Sequence, residues 1–153
     1  MNPFTLTNET IDSAALMQAV ADDRAGACVS FEGRVRNHHA GKVVTALEYE
    51  AAEFLACNEG RKILAEAVER FALYHAVARH RLGKLAVGEI AVAVFVSSAH
   101  RRQAFEGCEF IIDEIKARIP IWKKEYYPDE PAQWVLCSHD GADGSHAGDH
   151  RHK

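Results

Sequence analysis

The 153-residue chain predicts an α+β fold of two layers, a largely antiparallel sheet with helices packed against it. Three observations carry this. Five short segments read as strands, and three longer ones carry apolar residues at helical spacing. The strands come in neighbouring pairs, in the order α, β, β, α, β, β, α, β, as hairpins do. The length suits one domain with a proper hydrophobic core.

Asp12 or Ser13 caps a first helix running to about Ala21, with Leu16, Met17 and Val20 as its apolar stripe. From Gly26 the period becomes two. Ala27, Val29, Phe31 and Val35 alternate with Cys28, Ser30, Glu32 and Arg34, so 26–35 is a strand with one buried face. Residues 37–41 form a turn and 43–49 the next strand. That pair predicts a hairpin with a five-residue connection, rimmed by Arg34, Arg36, His38, His39 and Lys42. Residues 52–71 suit a helix with Leu55, Ile63, Leu64, Ala67, Val68 and Phe71 inward. Gly60 is its weak point, costing up to ~1 kcal/mol against alanine.

Residues 76–82 and 90–96 are strands joined through Gly83 and Gly88. The second, IAVAVFV, is apolar on both faces and belongs at the centre of a covered sheet. Ser97 or Ser98 caps the long helix, whose buried stripe is Phe105, Cys108, Ile111, Ile112, Ile115 and Ile119. Pro120 stops it, an extended segment with Trp122, Lys123 and Lys124 follows, and 134–137 is a last strand. The domain spans 1–137. Residues 138–153, SHDGADGSHAGDHRHK, lack apolar periodicity and are expected to be a disordered tail.

A formal charge of −4 argues against general nucleic-acid binding, and no apolar run approaches the roughly 20 residues of a membrane span. The segment MNPFTLTNET lacks a signal-peptide pattern, so a cytoplasmic protein is expected. Cys28, Cys57, Cys108 and Cys137 form no CxxC pair and are expected to stay reduced, Cys28 and Cys108 packing as small hydrophobes. His139, His146, His150 and His152 are metal-binding types, but their irregular spacing fits a solvated tail better; no metal or cofactor is expected.

Positive charge gathers in three places in this acidic chain: Arg34 and Arg36 beside the first turn, His100 and Arg101 at a helix start, and Lys116 with Lys123 and Lys124. Arginine grips phosphate or carboxylate bidentately, and a helix N-terminus offers unpaired N–H groups to an anion. Cations placed there oppose the helix dipole, a local cost that hints at function. Between Lys116 and Lys123 lies ARIPIW, an apolar connector that can hold both amines near one partly dry surface, where a lysine serves as base or nucleophile. His100 and Lys116 are sixteen positions apart, about 24 Å on one helix. One small ligand touches both only if the helix breaks or two copies share a site; a symmetric dimer is the favoured answer. His80 and Arg81 read as a surface pair or a structural hydrogen-bonding histidine. Glu48 and Glu50 read as a solvated strand face. No GxSxG, HExxH, P-loop or dinucleotide fingerprint is present.

Several motifs, GRVRNH, HRLGxLxVGE, SSAHR, AFE, DxIK and PIWKKE, then occur in an order and spacing that resembles the large, catalytic subunit of molybdopterin synthase. The resemblance runs over residues 26–135. It implies an α/β hammerhead-like α+β domain and a sulfurtransferase of molybdenum cofactor biosynthesis. The substrate would be cyclic pyranopterin monophosphate, converted to molybdopterin. Two sulfurs would come from the C-terminal Gly-Gly thiocarboxylate of a small ubiquitin-like subunit, in a heterotetramer built on a homodimer. Carried over by position, substrate binding falls on Arg34, Val35, Arg36, His100, Arg101, Lys116, Lys123, Lys124 and Glu125, with Lys116 and Lys123 catalytic. Arg34 stands where lysine is also common, and EYYPDEP departs from the pattern. The alternative is a non-catalytic module that holds an acidic protein tail in the same basic pocket; a metal-handling role for the histidine-rich tail is the third reading.

Overall fold

A computed structural model describes residues 1–136; Cys137, at the end of the last expected strand, and the expected tail 138–153 lie outside the described residues. The elements are β1 (Phe4–Thr7), α1 (Ser13–Ala19), β2 (Ala27–Arg34), β3 (His38–His39), β4 (Lys42–Val43), β5 (Ala46–Ala51), α2 (Glu53–Arg70), β6 (Leu73–Arg81), β7 (Gly83–Ala86), β8 (Ile90–Ser98), α3 (Arg101–Arg118), β9 (Ile121–Tyr126) and β10 (Gln133–Leu136). The mixed α+β class with mostly antiparallel pairing is as expected.

One four-stranded sheet has the order β1-β6-β8-β2. Strand β8 is central and pairs antiparallel with both β6 and β2. Its period of two divides the core. Val92, Val94 and Val96 join the main core with α2 and α3, while Ala93 and Phe95 face Ile11, Leu16 and Val20 around α1. That accounts for a strand apolar on both faces. A second four-stranded sheet, β10-β9-β5-β7, is antiparallel throughout.

The expected hairpin of the second and third predicted segments does not form. Strand β2 pairs with β8, whereas β5 pairs with β7 and β9 in the other sheet. The turn makes only the short ribbon β3–β4, closed by Ala40 (φ 53°) and Gly41 (φ 79°). Two consecutive positive φ values are what a tight two-residue hairpin turn requires. Pairing with strands already anchored in two sheets buries more apolar surface than one local hairpin does, so local turn chemistry loses.

Other expectations are corrected. Strand β1 was not foreseen; it pairs parallel with β6, Phe4 opposite Ala78. Met17, Leu55 and Phe105 are exposed although helical spacing put them on inner stripes, because the neighbours they would need lie elsewhere on each helix face. Cys28 is exposed on β2, while Cys108 is buried as expected. His100, not a serine, occupies the N-cap of α3 and makes no side-chain cap bond; the Ser98 hydroxyl donates to the His100 carbonyl at 2.6 Å. Gly60 is no defect, since the ring of Phe4 lies where a Cβ would stand.

Candidate active site

A cavity of about 270 Å³ opens where the two sheets meet α3 and the β3–β4 ribbon. Strand β9 supplies its chemistry through a reversed alternation. Ile121, Lys123 and Glu125 point inward and are buried, while Trp122 is exposed on the outer face. Turning charges in and an aromatic out is costly unless the charges are matched. Here they are. The Lys123 amine stands 3.6 Å from the Glu125 carboxylate, which also meets His39 Nδ1 at 2.6 Å and accepts the Tyr127 hydroxyl at 2.7 Å. Burial, then the Glu125 bond, pushes the Tyr127 phenol up to about 12, so it stays a protonated donor.

Lys116, on the last turn of α3, lines the same cavity. Helix α3 delivers it because Ile112 and Ile115 anchor that helix face in the core. Gly33, Arg34 and Arg36 line the cavity from the end of β2, where the ladder shifts register between Gly33 and Arg34. A bulge of this kind bends a strand and re-aims its side chains. Arg34 donates to Glu32 at 2.7 Å and to the Gly88 carbonyl at 3.1 Å, and Glu32 in turn accepts the Ser13 hydroxyl at 2.6 Å. The Ser13 bond, then that of Arg34, holds the Glu32 carboxyl below its usual range. Val35 is buried and contributes backbone: its N–H donates to Glu89 at 3.0 Å and its carbonyl accepts from Gly88 at 2.8 Å.

Of the nine residues expected at the site, Arg34, Arg36, Lys116, Lys123 and Glu125 line this cavity together. Lys124 points to the other face of β9, over the rings of Tyr126 (5.4 Å) and Trp134 (5.5 Å). His100 and Arg101 are not among the lining residues. They begin a continuous α3 that carries Lys116 near its far end. Sequence reasoning missed His39 and Tyr127 as partners of Glu125, and His80 as a wall of the cavity. The in-phase triplet Ile121, Lys123, Glu125 on a strand was the available signal for the first two.

Fold and cavity define a small α+β domain whose pocket concentrates two arginines and two lysines around a buried carboxylate, a site for acting on a small anionic molecule. The family model described as "MoaE protein" matches residues 6–118. The chain is 43% identical over 116 residues to the molybdopterin synthase catalytic subunit of Pyrococcus abyssi, covering 76% of this chain and 78% of that one. It is 40% identical over 136 residues to the protein of that name from Drosophila melanogaster, covering 88% of this chain but only 37% of the longer relative. The crystal structure of molybdopterin synthase from Staphylococcus aureus superposes with a TM-score of 0.83 at 34% identity, covering 88% of this chain and 98% of that one. The chain belongs to the MoaE family, that of the molybdopterin synthase catalytic subunits, sulfurtransferases of molybdenum cofactor biosynthesis.

Proposed function

We propose that this chain converts cyclic pyranopterin monophosphate to molybdopterin, taking one sulfur from each of two copies of a small ubiquitin-like subunit that carries a C-terminal Gly-Gly thiocarboxylate and is left with a carboxylate. The observation that carries the reading is the convergence of Lys116 and Lys123 on one cavity with Arg34 and Arg36 at its edge. Arginine at the rim suits the cyclic phosphate, through paired charge-assisted hydrogen bonds. Lys116 is the principal catalytic group on this reading, handling protons or the acyl carbonyl as sulfur leaves the donor. Lys123, held by Glu125, offers a fixed positive charge where negative charge develops. The relatives are named as one subunit of an enzyme, which supports a second, sulfur-carrying partner. The chain works in the cytoplasm on this reading. Among the described residues no helix is long and apolar enough to cross a membrane.

His100 and Arg101 enter through a second copy. Arg101 and Lys116 are fifteen positions apart, about 22 Å along unbroken α3, so they serve one cavity only across a dimer. The homodimer then forms the centre of a heterotetramer.

The test is conversion of cyclic pyranopterin monophosphate by the purified chain with a thiocarboxylated small subunit, wild type beside Lys116→Ala. Molybdopterin from the wild type and none from a folded variant is the expected result. A stable complex without product from the wild type would leave only a binding module for an acidic tail.

A further inference from the structure

The cavity is lined by four cationic side chains, and its side-chain acceptors are the Glu125 carboxylate, the Tyr49 hydroxyl and the imidazoles of His38, His39 and His80. Arg34, Arg36, Lys116 and Lys123 can only donate when charged. The Glu125 carboxylate accepts the Tyr127 hydroxyl on one oxygen and is ion-paired with His39 and Lys123 through the other, which has no hydrogen-bond partner. His80 is different. Its side chain lines the cavity although only 6% of its surface is exposed. A carbonyl oxygen can only accept, so the 2.8 Å contact of Nδ1 with the Arg81 carbonyl places the ring proton on Nδ1. Nε2 then carries a lone pair and is the polar atom the ring can offer to the cavity. The ring is held edge-on to Tyr49, centroids 4.9 Å apart at 78°. Burial above all, aided by the Lys116 charge against the Arg81 bond, pushes its pKa down to about 4. The imidazole is neutral at physiological pH and its acceptor stays available.

We propose that His80 is a specificity-determining residue whose Nε2 accepts a hydrogen bond from a ring N–H or amino group of the substrate's heterocycle, while the arginines at the rim take the phosphate. The inference deepens the pterin-site reading above and rests on it. A phosphate needs donors, and a pterin carries N–H groups that need an acceptor. The walls beside His80, from Val92, Ile112 and Ile115, are apolar and offer a buried donor nothing. A site built to pair a polar group rejects ligands that cannot complete the pair far more sharply than an apolar slot does.

The test uses the full chain labelled with ¹⁵N-histidine and titrated with cyclic pyranopterin monophosphate. An upfield move of the His80 Nε2 resonance on binding, with Nδ1 still protonated, is expected. Calorimetry on two variants accompanies it. His80→Gln restores an acceptor oxygen and keeps Kd within about fivefold of wild type, whereas His80→Phe weakens binding by about ten- to a hundredfold. The same split is expected in KM, with kcat nearly unchanged. An Nε2 resonance that ignores bound substrate, or a His80→Phe chain that binds as tightly as wild type, overturns the proposal. Should His80→Phe fail to fold, the resonance of the wild-type ring decides alone. Wild type that binds no cyclic pyranopterin monophosphate at all defeats the pterin-site reading first, and this inference with it.

Discussion

Lys123 and Glu125 sit two residues apart on one strand, with 6% and 3% of their surfaces exposed, and their charged ends are 3.6 Å apart. Neither charge tolerates burial alone, so each is a condition for the other. Glu125→Gln is therefore expected to lower stability by about 3–5 kcal/mol, read from urea or guanidinium unfolding, as well as to abolish turnover. The double variant Lys123→Met, Glu125→Leu should recover much of that stability while staying inactive. Stability equal to wild type in Glu125→Gln would refute the coupling.

Lys116 behaves in the opposite way. It is exposed at the cavity mouth, so Lys116→Ala should unfold within about 0.5 kcal/mol of wild type. Its rate should fall by about a hundredfold or more, the range expected when a group acting on the reacting atoms is removed. Loss of activity together with a large loss of stability would point to a structural residue instead.

The dimer-shared site predicts complementation. Subunits carrying Arg101→Ala and subunits carrying Lys116→Ala each lack part of every site in their own homodimers. A hybrid dimer regains one intact site of two, so random mixing restores roughly a quarter of wild-type activity. Mixtures as inactive as either variant alone would overturn the site shared across the dimer.

His80 makes the fold acid-sensitive. Its folded pKa, about 4, lies below its ordinary 6.5, so the unfolded chain binds the proton more readily. Its contribution to stability is complete above pH 6.5 and is lost as pH falls toward 4. At 1.36 kcal/mol per pH unit this amounts to roughly 3 kcal/mol. Glu32 and Glu66, both held low by hydrogen bonds, lose stability in the same direction. Comparing unfolding of wild type and His80→Gln from pH 7 to pH 4 isolates the histidine: the variant should show the shallower decline.

Gly60→Ala offers a packing test. On helix propensity alone the change gains up to ~1 kcal/mol. The Phe4 ring occupies the space of the new methyl group, and forcing it aside should cost about 1–3 kcal/mol instead. Paired with Phe4→Ala, the substitution should become much less harmful.

The parts of this protein legible in its sequence were those with a local cause. IAVAVFV announces a strand covered on both faces, and β8 is one. The period of α3, the stop at Pro120 and the cation clusters around Lys116 and Lys123 could be read directly, and five of nine expected residues meet in the cavity. Non-local choices were not legible. Strands β2 and β5 follow one another across a good turn yet join different sheets, because each finds a better-buried neighbour far along the chain. His80 is in phase with Ala76 and Ala78 on its strand, which allowed the structural hydrogen-bonding reading, but nothing local announces its place in the cavity. In ARHRLGKL it stands among cations like any surface residue, and only the meeting of β6 with Tyr49 and the cavity makes it different.

The parallel pairing of β1 with β6 has a consequence for the life of the chain on the ribosome. Phe4 is made before its partner Ala78, which follows more than seventy residues later. Closing so long a loop is entropically slow, and the N-terminal strand must wait unpaired while most of its sheet is still unsynthesised. Strand β1 emerges before the rest of its sheet and docks after it, a latch closed over an already assembled body. Phe4→Ala should accordingly hasten unfolding severalfold and leave the refolding rate almost untouched.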